Sequence, residues 1–323
     1  VKLFGARGKA SYSLFFATDL HGSETCFRKF LKAADFYRVD ALVLGGDLTG
    51  KLMVPIVKQP DGQYRATFLD HAITVSDGEE LTKLEKNIRF NGQYIYHCDP
   101  AEKQRMEADA AYRDQQFQAA MRADLERWMD EADAALAEGG TPCTGIPGND
   151  DEQYVGEVLS KSVRIVNGEE EIAELGPFQV LSCGFSNPTP WNSPRELNEE
   201  DLAEMIEGAA GRLEAGRPTI FNVHVPPFGS GLDLAPEVTD DLRLRGGATP
   251  HMKPVGSTAV ADAITRHQPI LSLHGHVHES RGSTKIGDAV ALNPGSEYNA
   301  GVLRGVIVRM SHDRVLSHQF VAA

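Results

Sequence analysis

Seven side chains able to bind a metal stand in one order along the chain: Asp19 and His21, Asp47, Asn149, His224, and finally His276 and His278. Each falls where a strand-like run gives way to a loop. That placement constrains the fold, because an α/β sheet brings the ends of its parallel strands to one shared crevice. Taken singly, the residues have ordinary explanations. Asp19 after a strand could cap a helix, and His224 before two prolines could be a buried loop histidine. Gly275-His276-Val277-His278 says more, since alternation on an extended segment puts both imidazoles on one side. The ordered set points to metal. Two carboxylates, one amide oxygen and four imidazoles suffice to hold two ions side by side.

The surrounding patterns agree. Tyr12–Ala17 is a β-rich apolar run, and Glu24–Tyr37 has helical spacing with Phe27, Phe30, Leu31 and Ala34 on one face. Ala41–Leu44 is a short buried-strand pattern ending at Gly45-Gly46-Asp47, completing a βαβ opening. Strand patterns resume at 144–147, 163–166, 171–175 and Phe178–Cys183. A helix is expected over 199–213, a strand at Thr219–Val223, and a helix capped by Ser257 or Thr258 running through His267. A strand at 270–273 precedes a strand-rich tail at 285–286, 290–292, 302–310 and 314–321. The chain shows no internal repeat.

Residues 51–140 read differently. Asp61-Gly62, Asp77-Gly78 and Asn91-Gly92 punctuate short β-prone pieces up to Cys98, which suggests hairpins. A single long helix is expected after Asp99-Pro100, ending at Gly139-Gly140. Its apolar stripe runs through Met106, Ala110, Phe117, Met121, Leu125, Trp128, Ala132 and Leu136. The stripe suits packing against the domain's own hairpins; a dimer-forming helix or a lid over the site is the alternative. The expected organisation is one domain over 1–323 with 51–140 inserted into it.

Composition narrows the partners. The chain has 323 residues, 41% hydrophobic and 24% charged, with a net charge of −14. Such a balance argues against non-specific binding to nucleic acid or an anionic membrane, which need a basic face. No run of eighteen apolar residues suggests a transmembrane helix, and residues 1–10 lack the apolar stretch of a signal peptide. Cys26, Cys98, Cys143 and Cys183 lie far apart without CxxC pairing and read as reduced thiols. A cytoplasmic location is the expectation.

Imidazole and oxygen donors without thiolate favour Mn, Fe, Zn, Co or Ni over Ca or Mg. An aspartate bridging two such ions holds them roughly 3.5–4 Å apart, which suits displacement at phosphorus. Asp19-Leu20-His21, Gly46-Asp47, Gly148-Asn149-Asp150-Asp151, His224 and Gly275-His276-Val277-His278 together resemble the signature of the calcineurin-like metallophosphoesterase superfamily. His224-Val225-Pro226-Pro227-Phe228-Gly229 and Asn293-Pro294-Gly295-Ser296 are similar to its bacterial and archaeal group related to cyclic-nucleotide phosphodiesterases. The likeness spans about residues 12–310 apart from 51–140.

The resemblance implies a four-layer αββα sandwich, here with a hairpin-plus-helix insertion, and two divalent or trivalent ions, manganese first among them. Asp19, His21 and His278 would hold one ion, Asn149, His224 and His276 the other, and Asp47 would bridge them. A hydroxide between the metals would attack the phosphorus of a small phosphodiester or phosphomonoester, such as a nucleotide. A nuclease of the same superfamily and a non-catalytic protein-binding scaffold are the rival readings. One departure stands out: the family's histidine after the asparagine is Asp150 here. Asp150 is a candidate general acid, or else a structural residue that caps a turn or orients a ligand. Asn149, His251, Asn293 and Ser296 are the candidates for touching substrate. His274 reads as buried support, and the other histidines, His251's loop position aside, as ordinary.

Overall fold

A computed structural model describes residues 11–323 except 240, 242, 244 and 246–249, so residues 1–10 and part of the loop before His251 lie outside it. The chain runs through β1 (Tyr12–Ala17), α1 (Glu24–Tyr37), β2 (Ala41–Leu44), β3 (Met53–Lys58), β4 (Tyr64–Phe68), β5 (His71–Val75), α2 (Glu79–Phe90), β6 (Tyr94–Cys98), α3 (Pro100–Ala108) and α4 (Ala110–Ala135). Next come β7 (Cys143–Gly145), α5 (Val155–Leu159), β8 (Ile165–Asn167), β9 (Ala173–Leu175), β10 (Phe178–Cys183), α6 (Glu199–Ala210) and β11 (Thr219–Val223). The last part holds β12 (Leu234–Pro236), β13 (Met252–Pro254), α7 (Thr258–His267), β14 (Leu271–Leu273), β15 (Gly282–Ile286), β16 (Ala289–Asn293), β17 (Arg304–Met310) and β18 (Val315–Ala322).

Two six-stranded sheets form the body, in the orders β18-β17-β1-β2-β7-β8 and β15-β16-β14-β11-β10-β9. Each has a parallel core, β1-β2-β7-β8 in one and β10-β11-β14-β16 in the other, with antiparallel strands at the edges. The period-two alternation of strand side chains decides the layers. Leu14, Phe16, Ala41 and Val43 pack with Val180, Ile220, Leu271 and Leu273 of the second sheet. Their neighbours Phe15, Ala17, Leu42 and Leu44 point the other way, onto α1, α4 and α5 through Phe27, Phe30, Trp128 and Val158. Leu181, Phe221 and Val223 likewise pack on α6 and α7 through Leu202, Ile206, Val260 and Ile264. The result is helix, sheet, sheet, helix: the expected αββα sandwich.

Residues 51–140 depart from expectation in two ways. β3 to β6 make a four-stranded sheet, order β5-β4-β3-β6, in which β3 and β6 are parallel. Asp61-Gly62 lies in the β3–β4 turn, but Asp77-Gly78 and Asn91-Gly92 bracket helix α2 and are not hairpin turns. Leu81, Leu84 and Ile88, spaced three and four apart, bury one face of that helix on the sheet and override the turn dipeptides. The long helix is two. Asp109 is extended (φ −124°) and its carboxylate accepts from the Tyr112 backbone N–H, starting α4 afresh. The stripe from Leu125 to Leu136 is buried against α1 and α5, and Trp128 stacks on Phe27 with ring centroids 4.4 Å apart. A further helix, α5, was not foreseen at all.

The four cysteines are free and buried. No helix among the described residues is long and apolar enough to cross a membrane.

Candidate metal centre

β1, β2 and β7 of one sheet and β11 and β14 of the other end at the same crevice, and the seven donors follow those ends. The loops after β1 and β2 are laced together by backbone bonds from Asp19 N to Gly46 O (2.9 Å), His21 N to Asp47 O (2.9 Å) and Gly22 N to Leu48 O (2.8 Å). This lacing turns the ligands inward at a conformational cost. Asp19, His21, Asp47 and His276 have φ of 54°, 42°, 51° and 65°, in the left-handed region. Such backbone costs about 1–3 kcal/mol per residue and persists only where the surroundings over-determine it. Four ligand candidates in that state mark a strained, functional loop cluster.

Asp19, His21 and His278 offer donor atoms within 4.8 Å of one another, as do Asp47, His224 and His276. The two groups adjoin. His21 Nε2 is 3.1 Å from His278 Nε2 and 3.7 Å from an Asp47 oxygen, which in turn is 3.3 Å from His224 Nε2. Asn149 Oδ1 lies 3.0 Å from His224 Nε2 and 2.7 Å from His276 Nδ1. Asp47 thus stands between the groups, and Asn149 sits with the second. His224 Nδ1 donates to the Gly45 carbonyl at 2.8 Å, which turns Nε2 toward the centre.

The buried charges are set among imidazoles. Asp19 and Asp47 are 1% and 2% exposed, and among the described residues their ion-pair partners are all histidines. Burial works against both carboxylates, but the His278 and His224 rings beside them hold each below its ordinary value. Burial pushes His21 down and His276 down to about 4, leaving rings with a free lone pair. Burial also opposes charge on His224, but Asp47 and Asp19 outweigh it and carry that ring up to about 10. Buried carboxylates without a lysine or arginine, facing imidazole nitrogens and an amide oxygen, form a donor set that fits first-row divalent ions.

Supporting residues explain the loop shapes. Asp151 is fully buried and accepts from the backbone N–H of Leu48, Thr49 and Gly148 and from the Thr49 hydroxyl, at 2.6–3.0 Å, tying the loops after β2 and β7. Burial and nearby Asp47 push it up to about 6 against the pull of those donors. Gly148 is required by proximity, since a Cβ there would collide with the Asp47 carboxylate and backbone nitrogen. Arg195 donates to the Gly148 carbonyl at 3.0 Å and pairs with Glu169 through two bonds of 2.6 and 2.7 Å. Asp151 carried a sequence signal as the acidic residue ending the asparagine motif. Arg195 and Glu169 carried none, because their partners come from distant loops.

The other candidates take different places, and Asp150 alone of them has a carboxylate oxygen within 4.8 Å of donor atoms of His21 and Asp47. Asp150 is ion-paired with Lys51 at 2.5 Å and accepts from the Ser193 hydroxyl, while its backbone N–H donates to Asp47 at 2.9 Å. Asn293 is fully buried; its amide donates to the carbonyls of Leu232, Gly275 and Val277, and its oxygen accepts from Gly295 N. It shapes the loop that carries His276 and His278. Ser296 donates to the Asp19 carbonyl at 2.7 Å. His251 is exposed, its backbone bonded to Glu237 and Arg245. His274 is buried, with Nδ1 donating to Val223 O and Nε2 beside the Ser272 hydroxyl, and burial pushes it down to about 4.

No family model matches the chain. An uncharacterized protein of Methanocaldococcus jannaschii, MJ1162, is 27% identical over 153 residues, covering 46% of this chain and 62% of that protein. The chain therefore spans about three fifths of that relative's length. The solved structure of TT1561 of Thermus thermophilus has a TM-score of 0.50 and 15% identity, covering 93% of this chain and 98% of that one. A second solved chain has a TM-score of 0.51 and 16% identity, covering 97% and 98%. At such identities the likeness concerns the fold alone. Fold and site together describe an α/β sandwich with candidate metal-binding clusters.

Proposed function

We infer that the chain is a metal-dependent hydrolase of small phosphate esters, either diesters or monoesters, working at a centre of two ions with manganese the first choice. The observation that carries this reading is the convergence of seven oxygen and nitrogen donors, from five strand ends, around one buried aspartate that adjoins both groups. Two bound cations would lower the pKa of a water and neutralise charge on the phosphoryl oxygens. The residues of the chain do the rest. Asp47 spaces the two groups, Asn149 presents its carbonyl oxygen beside His224 and His276, and the Gly45 carbonyl fixes the His224 ring. Lys51 brings an ammonium to the mouth, and Asp150 anchors it there. Both oxygens of Asp150 are occupied by donors, so we place it as an anchor and not as a proton donor. In hydrolysis the oxygen of water bonds to phosphorus, the ester P–O bond breaks, and the leaving oxygen takes the electron pair and a proton.

The net charge of −14 weighs against a nuclease. Protein loaded with manganese is expected to hydrolyse bis(p-nitrophenyl) phosphate. Stoichiometric metal with no turnover on any phosphate ester would instead favour the binding scaffold.

A further inference from the structure

The two donor groups open into different cavities. His276, of the Asp47 group, is in the wall of one of about 530 Å³, with Trp191, Phe228, Pro188, Pro236 and Pro254, and with Glu199 and Lys253 as its charged members. His21 and His278, of the Asp19 group, are in the wall of another of about 210 Å³, with Lys51, Asp150, Gln93 and Tyr298, and His278 also borders a third of about 600 Å³ with Arg281 and Arg304. The first lies within the roughly 300–1,000 Å³ typical of pockets for small organic ligands, and the second falls below that range.

Their chemistry differs as much as their size. Trp191 and Phe228 are 59% and 49% exposed, two large aromatic residues standing in solvent beside a metal ligand. An apolar wall of this kind gains by being covered, and aromatic rings cover one another best. The small cavity is polar. Lys51 is the only lysine or arginine in its wall among the described residues, held forward by Asp150, which Ser193 braces from behind.

Resting on the hydrolase reading, we propose that the substrate is an unsymmetrical phosphodiester, with a bulky aromatic arm on Trp191 and Phe228 and a small polar or anionic arm at Lys51. A phosphomonoester has one organic arm and fills only one of the cavities that the donor groups border. Hydrolysis joins the oxygen of water to phosphorus and releases one arm as its alcohol or phenol. The other arm stays on the phosphomonoester product.

Binding of small diesters to the manganese-loaded protein, read from the first injection heats before hydrolysis accumulates, separates the arms without depending on turnover. By calorimetry, methyl phenyl phosphate is expected to bind about ten-fold tighter than dimethyl phosphate, the scale of one good aromatic contact. Trp191→Ala and Phe228→Ala should each shrink that ratio while metal content, read by elemental analysis, stays at wild-type level. Lys51→Ala should weaken phenyl carboxymethyl phosphate about ten-fold more than methyl phenyl phosphate, with partial rescue by Lys51→Arg. Equal binding of the phenyl and dimethyl esters, or a ratio that survives both aromatic substitutions, overturns the proposal. Turnover of bis(p-nitrophenyl) phosphate without the ratio rejects the arm assignment alone. The ratio without turnover supports the arms and rejects hydrolysis.

Discussion

The sandwich and the smaller four-stranded sheet are both sheets packed on helices, yet they treat the site in opposite ways. In the sandwich, β1, β2, β10, β11 and β14 are buried along most or all of their length, and every candidate donor leaves from such a strand or from short β7. In the smaller sheet β4 alternates buried and exposed residues and β5 is largely exposed. It supplies no donor. Instead the turns at its edge give Lys51, Asn91, Gly92 and Gln93 to the wall of the polar cavity. Doubly buried strands hold positions rigidly enough to place ligands, whereas a sheet with one wet face is better suited to shaping access.

That contrast predicts a gradient of effects. Asp47→Ala, at the junction of the two groups, should lower turnover on the order of a thousand-fold or more and strip metal from the folded protein. Circular dichroism and elemental analysis check the two halves of that statement. Chelation should have a similar effect on turnover and also lower Tm, since about 2.7 kcal/mol is lost when a ligand at a hundred times its Kd is withdrawn. Added manganese should restore both.

Asp151→Ala comes next, because it leaves three buried N–H groups and a hydroxyl without their acceptor. A loss of about 2–5 kcal/mol is expected by urea unfolding, with weaker metal retention. Asp150→Asn should act more mildly, keeping an acceptor for Ser193 but freeing Lys51, with turnover down less than about ten-fold. The shape of its pH–rate profile should be unchanged; loss of one limb would return Asp150 to the role of acid. The smallest effect at the centre is expected from Ile88→Ala, under the smaller sheet. It should cost about 2–4 kcal/mol within 53–98, seen as faster amide exchange there, and leave metal content as it was. If metal fell as well, the two sheets would not be as separate as their burial suggests.

The same contrast explains what could be read in the sequence. β1, α1, β2, β10 and β11 matched their expected bounds because buried runs and a clear helical face leave little choice. Helix α2 was hidden by the turn dipeptides at each of its ends, though Leu81, Leu84 and Ile88 had the right spacing. The break at Asp109 was overlooked because the apolar stripe continues past it. The ordered motifs named the donors, but not the left-handed backbone at Asp19, His21, Asp47 and His276, which depends on lacing between loops. Lys51 and Trp191 had no local signature; they matter through what faces them across the crevice.

The two sheets do meet bare at one corner. Gly50, just past the Asp47 loop, lies so close to the Gly92 carbonyl that a side chain on it would collide, and a side chain on Gly92 would strike the His21 carbonyl. Tyr94 reinforces the corner, its hydroxyl accepting from the Gly50 N–H at 2.8 Å. Homologous chains could therefore lengthen or trim the distant β3–β4 and β4–β5 turns freely, while residues 91–94 tolerate no added bulk where they abut the loop that carries His21.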